Sequence, residues 1–319
     1  MRPFVLEGAR VFVTGGAGFI GSHVVERLAV RNEVVAFDRV PPEAATHLVA
    51  VKDRIAYLRG DVRKPEDLEA AVKGADVVLH LAAFVSVPES FRDPVAVNEV
   101  NVHGTLGVLR AAKAAGVRRV VFASSCAVYG GNAPPLREDT RLDLTSPYAV
   151  SKAAGELWCQ LYHDLGLEAV ALRLFNVYGP RQPAQGPYGA VIPKFLHAAA
   201  TGETPVVYGD GEQTRDFVYV ADAAEAFDRA ATVEGASGEI INVGSGQAVS
   251  VNRLLSVVAD VTGKELRAER KDARPGDIRA SFADPAKMER LLGFRPRVAL
   301  EQGLLATAET FVAEGSRAA

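Results

Sequence analysis

Tyr148 and Lys152 stand four residues apart, and the pair Ser124-Ser125 closes an apolar run one element earlier. On a helix, side chains four apart share a face. A phenol and an ammonium would therefore sit side by side. A free tyrosine titrates near ~10 and is a poor base at neutral pH. A nearby ammonium favours its phenolate, and an oxidised nicotinamide ring would do the same. Ser125 would hold the reacting oxygen, Tyr148 would move its proton, and a hydride would leave the same carbon. Lys152 would also reach a nicotinamide ribose. Tyr-x-x-x-Lys recurs often by chance, so this chemistry depends on a dinucleotide site elsewhere in the chain.

That site is legible near the start, in Arg10-Val-Phe-Val-Thr-Gly-Gly-Ala-Gly-Phe-Ile-Gly-Ser-His23. Val11 to Val13 read as a buried strand, and Gly16, Gly18 and Gly21 fall in a G-x-G-x-x-G spacing. Ser22 to Arg31 read as a helix. In this layout the first glycine allows a tight turn and the second admits backbone close to a diphosphate. The third lets helix and strand pack closely. The helix start offers N–H groups and a positive dipole end to the phosphates. A second strand, Glu33-Val-Val-Ala-Phe37, ends at Asp38, whose carboxylate would bind both ribose hydroxyls and repel a 2′-phosphate. That favours NAD over NADP, although Arg39 next door is a residue that could welcome the phosphate.

The elements that must position these groups alternate. Strands are expected at Arg54–Leu58, Asp76–Leu81, Arg118–Ser124 and Glu168–Phe175, with helices at Pro65–Lys73, Asn98–Ala115 and Tyr148–Leu165, the last capped by Ser146. Apolar strands alternating with helices imply a parallel sheet covered on both faces. From Tyr178 the rhythm changes. Gly179 to Pro187 is too rich in Pro and Gly for regular structure and reads as the exit to a second lobe. The expected fold is α/β, a Rossmann-type doubly wound parallel sheet with a smaller mixed α/β C-terminal substrate lobe. The first domain spans 1–177, with 213–245 returning to it, and the second 178–212 and 246–319.

The 319 residues suit about two domains of ~150 each. A formal net charge of −3 gives no footprint for nucleic acid or an anionic membrane. No apolar run approaches the ~20 residues of a membrane span. The chain enters its first strand without a basic-then-apolar leader, so a cytoplasmic location is expected. Cys126 and Cys159 read as buried, reduced thiols, and no metal site is expected.

Together these segments resemble the extended short-chain dehydrogenase/reductases of the nucleotide-sugar epimerase and dehydratase group. The resemblance rests on Thr14–Gly21, Asp61-Val62, His80–Ala83, Ser124–Gly130, Tyr148–Lys152, Arg173–Arg181, Gly209–Phe217, Asn242–Gly244 and Arg274–Asp277. It implies NAD as a tightly held cofactor. Asp61 and Val62 would flank its adenine, and Leu81, Ala82, Ala83 and Asn101 would line it. Gly15, Phe19, Ile20, Ser124 and Phe175 would complete its site. Asn176, Arg215 and Arg274 would bind a substrate diphosphate, as paired guanidinium groups suit. Val191, Val206 and Tyr208 would sandwich the nucleobase, Asp277 would bind a ribose hydroxyl, and Ser86 would also bind the substrate. The resemblance also implies a homodimer through the helices Asn98–Ala115 and Tyr148–Leu165.

Departures from sister families narrow the reaction. Cys126 and Ala127 stand where 4,6-dehydratases carry an Asp-Glu acid pair and where decarboxylases keep the Glu. Asn176 stands where enzymes acting on sugar acids tend to have Thr. What remains is 4-epimerisation of a UDP-hexose. Ser281 is small where a tyrosine is associated with restriction to glucose and galactose. Gly186–Pro193 also resembles the epimerases that take N-acetylated sugars, and Ala190 replaces an asparagine common in the strict galactose type. The expected substrates are UDP-glucose/UDP-galactose and UDP-GlcNAc/UDP-GalNAc. The alternatives are another nucleotide-sugar enzyme of this architecture and, from a different class, a non-catalytic NAD-binding protein, against which Ser125, Tyr148 and Lys152 are all intact.

Overall fold

The structure is a computed structural model and describes residues 6–183, 190–273 and 276–318. The first six strands are β1 (Arg10–Thr14), β2 (Glu33–Asp38), β3 (Ile55–Arg59), β4 (Val77–His80), β5 (Arg119–Ser125) and β6 (Glu168–Leu174). Shorter strands follow: β7 (Asn176–Tyr178), β8 (Val206–Tyr208), β9 (Thr214–Arg215), β10 (Phe217–Tyr219), β11 (Ile240–Val243), β12 (Val249–Ser250), β13 (Glu269–Lys271) and β14 (Ala280–Ser281). The helices of the first half are α1 (Phe19–Leu28), α2 (Pro65–Ala71), α3 (Val87–Arg92), α4 (Pro94–Asn98), α5 (Gly104–Ala114) and α6 (Pro147–Asp164). Those of the second half are α7 (Val191–Thr201), α8 (Val220–Thr232), α9 (Val251–Thr262), α10 (Ala286–Leu292) and α11 (Leu300–Ala318).

Among the described residues the main sheet has seven parallel strands in the order β11-β6-β5-β4-β1-β2-β3. Its strands alternate large apolar residues toward both faces. Val11, Val34, Val77 and Leu79 pack on one side, and Phe12, Val35, Val78 and Phe122 on the other. Burial on both faces is what near-continuous apolar strands require. The chain runs from β1 outward to β2 and β3, then crosses to β4 on the other side of β1. That reversal opens a crevice at the carboxyl ends of β1 and β4, the place where open α/β sheets bind ligands. A separate apolar core, including Phe195, Val207, Leu254 and Leu304, joins α7, β8, α9 and α11. The pair β7–β10 lies beside the end of the main sheet, while β9 pairs with β12 and β14.

One helix differs from expectation. The helix expected over Asn98–Ala115 begins earlier, at α4, where the Asp93 side chain accepts from the Ala96 N–H at 2.9 Å. It then widens into a π-helical turn, Glu99–His103, before α5. The stretch Thr214–Tyr219 forms two short strands, β9 and β10, interrupted at Asp216, whose buried carboxylate has its own partners. Its Oδ1 accepts from the Ser245 N–H and hydroxyl, and its Oδ2 from the N–H groups of Gly246 and Ala283. Four donors on one carboxylate explain why the chain turns inward there. Among the described residues no helix is long and apolar enough to cross a membrane.

Candidate active site

The glycine-rich turn is built around three close approaches. Gly15 takes φ +71°, and a Cβ there would fall 2.7 Å from the Ala82 nitrogen. The tight turn expected at Gly16 therefore lies one residue earlier. Gly16 instead packs against Ala36, where a Cβ would come 3.0 Å from the Ala36 Cβ. At Gly21 a Cβ would fall 2.0 Å from the Gly15 carbonyl oxygen, so only glycine lets α1 start this close to the turn. Gly18 caps α1 without a side chain and is exposed, with half-buried Phe19 and Ile20 behind it. The helix start thus faces the crevice with bare backbone. Asp38 closes β2 beside it, accepting from the N–H groups of Ala17 at 3.2 Å and Val40 at 3.3 Å. Bare N–H groups at a helix start next to a ribose-height carboxylate fit a dinucleotide. Arg39 is exposed. Asp61 is hydrogen-bonded to Arg63, whose guanidinium holds its carboxyl below the usual range. Val62 is buried against Gly104, where a Cβ would fall 2.7 Å from Val62.

A directional hydrogen-bond chain fixes the floor of the crevice. The Ala82 N–H donates to the Thr14 hydroxyl at 3.3 Å. Thr14 lies 2.7 Å from His80 Nδ1, and His80 Nε2 lies 2.9 Å from the Thr105 hydroxyl. Thr105 donates to the Asn101 carbonyl at 2.6 Å. Because that carbonyl only accepts, the chain assigns the proton of His80 to Nε2. Burial pushes His80 down to about 3, so the ring is neutral. Asn101, in the π-helical turn, accepts from the Phe84 N–H and donates to the Phe84 carbonyl and the Ser151 hydroxyl. It braces the segment carrying Leu81, Ala82 and Ala83 against α6. Ser86 is buried and its hydroxyl caps α3 by accepting from Glu89.

Tyr148 and Lys152 emerge from the first two turns of α6, which begins at Pro147 with Ser146 as cap, accepting from the Ala149 N–H at 3.1 Å. They are 9% and 3% exposed. Lys152 Nζ donates to the Ala123 carbonyl at 2.7 Å and sits 5.8 Å from the Tyr148 ring centroid. Burial pushes Tyr148 up to about 12; a hydrogen bond with Ser125 pulls the other way. Burial brings Lys152 down to about 8, opposed by the Glu156 carboxylate. Desolvation dominates the phenol, and the lowering expected from the Lys152 ammonium is not among the effects that act on it. The positive charge of an oxidised nicotinamide is the further contribution a phenolate requires.

Behind this pair lies a buried network that spacing alone did not disclose. The Ser124 hydroxyl donates to Glu156 Oε1 at 2.5 Å, so its side chain turns to α6. Both Glu156 oxygens receive Arg173 at 2.8 Å. Arg173 also donates to the Tyr129 hydroxyl, which donates to Asn242 Oδ1 at 2.6 Å. Burial works against the charge of Arg173, but Glu156 outweighs it and holds the guanidinium protonated. Phe175 is buried with its ring 6.2 Å from that of Tyr129.

A cleft of about 300 Å³ in the second lobe collects Asn176, Val191, Val206, Tyr208, Arg215 and Asp277. Arg215 pairs with Asp277 at 2.6 Å and donates to the Ile278 carbonyl, and Asn176 donates to the Asp216 carbonyl. Ser281 is buried on β14, in register with Arg215. Arg274 and residues 184–189 lie outside the described residues, so the stretch Gly186–Pro193 is described only from Ala190 onward.

A nicotinamide-type crevice at the switch point, a Tyr–Lys–Ser set at its edge and a cleft beside it define a dinucleotide-dependent enzyme of the extended short-chain type. The model of the NAD dependent epimerase/dehydratase family matches residues 11–244, and the chain belongs to that family; its cofactor is NAD. The chain is 38% identical over 310 residues to a UDP-glucose 4-epimerase of Mycolicibacterium smegmatis, covering 95% of this chain and 98% of that protein. It is 36% identical over 315 residues to a UDP-N-acetyl-alpha-D-glucosaminuronate decarboxylase of Bacillus cytotoxicus, covering 95% and 97%. Among solved structures it is similar to a UDP-N-acetylglucosamine 4-epimerase from Methanobrevibacter ruminantium in complex with UDP-N-acetylmuramic acid. That likeness has a TM-score of 0.92 at 39% identity, covering 97% of this chain and 99% of that one. A Thermus thermophilus UDP-glucose 4-epimerase in complex with NAD gives 0.86 at 37% identity, covering 95% and 98%.

Proposed function

We propose that this enzyme interconverts the C4 epimers of UDP-hexoses, taking both UDP-glucose/UDP-galactose and UDP-GlcNAc/UDP-GalNAc. The observation that carries the reading is the acid–base inventory beside Ser125. Tyr148 can move a proton, and positions 126 and 127, the start of the turn after β5, hold Cys and Ala without a carboxylate. Burial pushes the Cys126 thiol up to about 12, so it is no base at neutral pH. A dehydratase or decarboxylase needs a further acid or base there; an epimerase does not.

Gly15, Gly18, Phe19, Ile20 and Gly21 hold the diphosphate of NAD, Asp38 its ribose, and Asp61 and Val62 its adenine. NAD, when bound, supplies a hydride acceptor and the positive charge of its oxidised ring. Ser125 orients the C4 hydroxyl and Tyr148 takes its proton; Lys152 stabilises the phenolate. Arg215, Asn176 and Arg274 grip the substrate diphosphate while Val191, Val206 and Tyr208 hold the base and Asp277 its ribose. A grip confined to the nucleotide leaves the keto sugar free to turn over on its tether. With the hydride restored to C4 on the sugar's other face, Tyr148 gives the proton back to O4 and the inverted alcohol is complete.

The same reading assigns 1–177 with 213–245 to the cofactor lobe and the remainder to the substrate lobe; the return of β11 to the main sheet supports this. It also pairs two copies through α4–α5 and α6, where Val150, Leu157 and Leu161 leave an apolar stripe, Leu157 being 66% exposed. A monomeric mass at micromolar concentration would contradict that pairing. The substrate range is tested at Ser281, whose small side chain leaves room for an N-acetyl group. Ser281→Tyr should suppress turnover of UDP-GlcNAc while sparing UDP-glucose. Equal loss on both would remove Ser281 from the specificity account.

A further inference from the structure

The row of functional groups on α6 continues past Lys152. Tyr148, Lys152 and Glu156 follow one another at intervals of four and so stand in line on one helix face. Lys152 and Glu156 reach adjacent residues of β5, the Ala123 carbonyl at 2.7 Å and the Ser124 hydroxyl at 2.5 Å. Ser125, next in the strand, is hydrogen-bonded with Tyr148. Glu156 is 2% exposed and has no role in the reaction described above. We propose that Glu156 is a positioning residue of the active site: it fixes the Ser124–Ser125 strand end against α6 and supplies the counter-charge for the Lys152 ammonium beside Tyr148. The inference rests on the acid–base reading of Tyr148 and Lys152 but on none of the substrate assignments.

An ammonium taken out of water needs an anion or it loses its proton. The groups facing Lys152 can be named. Tyr148 and Cys159, on its own helix, are both raised by burial and uncharged at neutral pH. His80 from β4 is neutral. From β5 come a carbonyl and the Phe122 ring, 5.0 Å from Nζ. Glu156 is the one anion of this set. Arg173 from β6 is a cation, but its Nε and Nη2 are spent on Glu156, and its Nη1 is directed to the Tyr129 hydroxyl and the Glu138 carbonyl. A mere strut between Ser124 and Arg173 would need hydrogen-bonding atoms, whereas a counter-charge needs ionisation. The two roles are therefore separable.

Glu156→Gln keeps the shape and removes the charge. In protein labelled with [13Cε]lysine, the Lys152 resonance is assigned by its loss in Lys152→Ala. Its titration midpoint should fall by about one pH unit or more in Glu156→Gln. The alkaline limb of kcat should move down with it, with KM for the sugar nucleotide unchanged. Glu156→Gln also strands a buried guanidinium, which can prevent folding. The double variant Glu156→Gln/Arg173→Gln removes both charges and should still show a lowered midpoint, because Glu156 stands one helical turn from Lys152 whereas the Arg173 guanidinium is turned to Glu156, Tyr129 and Glu138. An unchanged Lys152 midpoint in whichever variant folds would overturn the proposal. The midpoint needs no turnover, so a protein that epimerises nothing still tests it.

Discussion

The two sides of the site are built on opposite plans. On the cofactor side, two buried networks are fully committed: Thr14, His80, Thr105 and Asn101 form one chain, and Ser124, Glu156, Arg173 and Tyr129 another. On the substrate side, Arg215 and Asp277 are half-buried at the mouth of an open cleft and satisfy each other. A fully committed network is preorganised and resists rearrangement. A half-exposed ion pair is worth little and exchanges partners readily. On the proposed function, the chemistry would be held in the rigid half and the choice of substrate would lie in the adaptable half.

That contrast predicts which kinetic constant each substitution moves. Tyr148→Phe removes the proton carrier and should lower kcat by about 10³-fold while UDP binding stays intact; parallel losses in kcat and UDP affinity would erase the contrast. Arg215→Leu should weaken UDP binding by roughly 10–100-fold, the value of a charge-assisted hydrogen bond or two, with NAD content unchanged. Calorimetric titration with UDP and absorbance of the extracted cofactor report the two quantities separately. Ser281→Tyr should change the ratio of UDP-GlcNAc to UDP-glucose turnover by about tenfold, the scale of one misfit group in a pocket. A further effect concerns stability and not turnover. Folded His80 titrates at about 3 against an ordinary value of 6.5, so between those values the unfolded chain holds a proton that the folded chain lacks. Stability should fall as pH falls through that window, by up to about 1.4 kcal/mol per pH unit. His80→Asn should flatten that slope in urea midpoints taken between about pH 4 and pH 6.5, roughly the accessible part of the window.

Much of this is legible in the sequence, because it rests on short-range spacing. The glycines, Asp38 at a strand end, and Tyr148 and Lys152 one helical turn apart are local patterns with a mechanical reason. The committed network was not readable, because its members are far apart in sequence. Ser124 and Glu156 are separated by 32 residues, and Tyr129 and Asn242 by 113. Ser124 looked like a cofactor ligand and spends its hydroxyl on Glu156. Asn101 looked like a lining residue and braces Phe84. The shift of the tight turn from Gly16 to Gly15 followed from the approach of Ala82, 67 residues away. Arg181 is the remaining surprise: it takes φ 67° without being glycine and donates to the Ser22 hydroxyl at 3.0 Å, tying the exit loop to α1. The one signal available for the network was the pairing of types, since a glutamate four residues after Lys152 and an arginine inside an apolar strand each require a buried partner.

The central claim, a C4 epimerase that carries its own NAD, is tested most directly by NMR of UDP-glucose and of UDP-GlcNAc after incubation with purified protein and no added cofactor. The account predicts that the C4 epimer of each sugar nucleotide appears, without free NADH. Loss of water or of carboxylate from a sugar nucleotide, or no change in any of them, would contradict it.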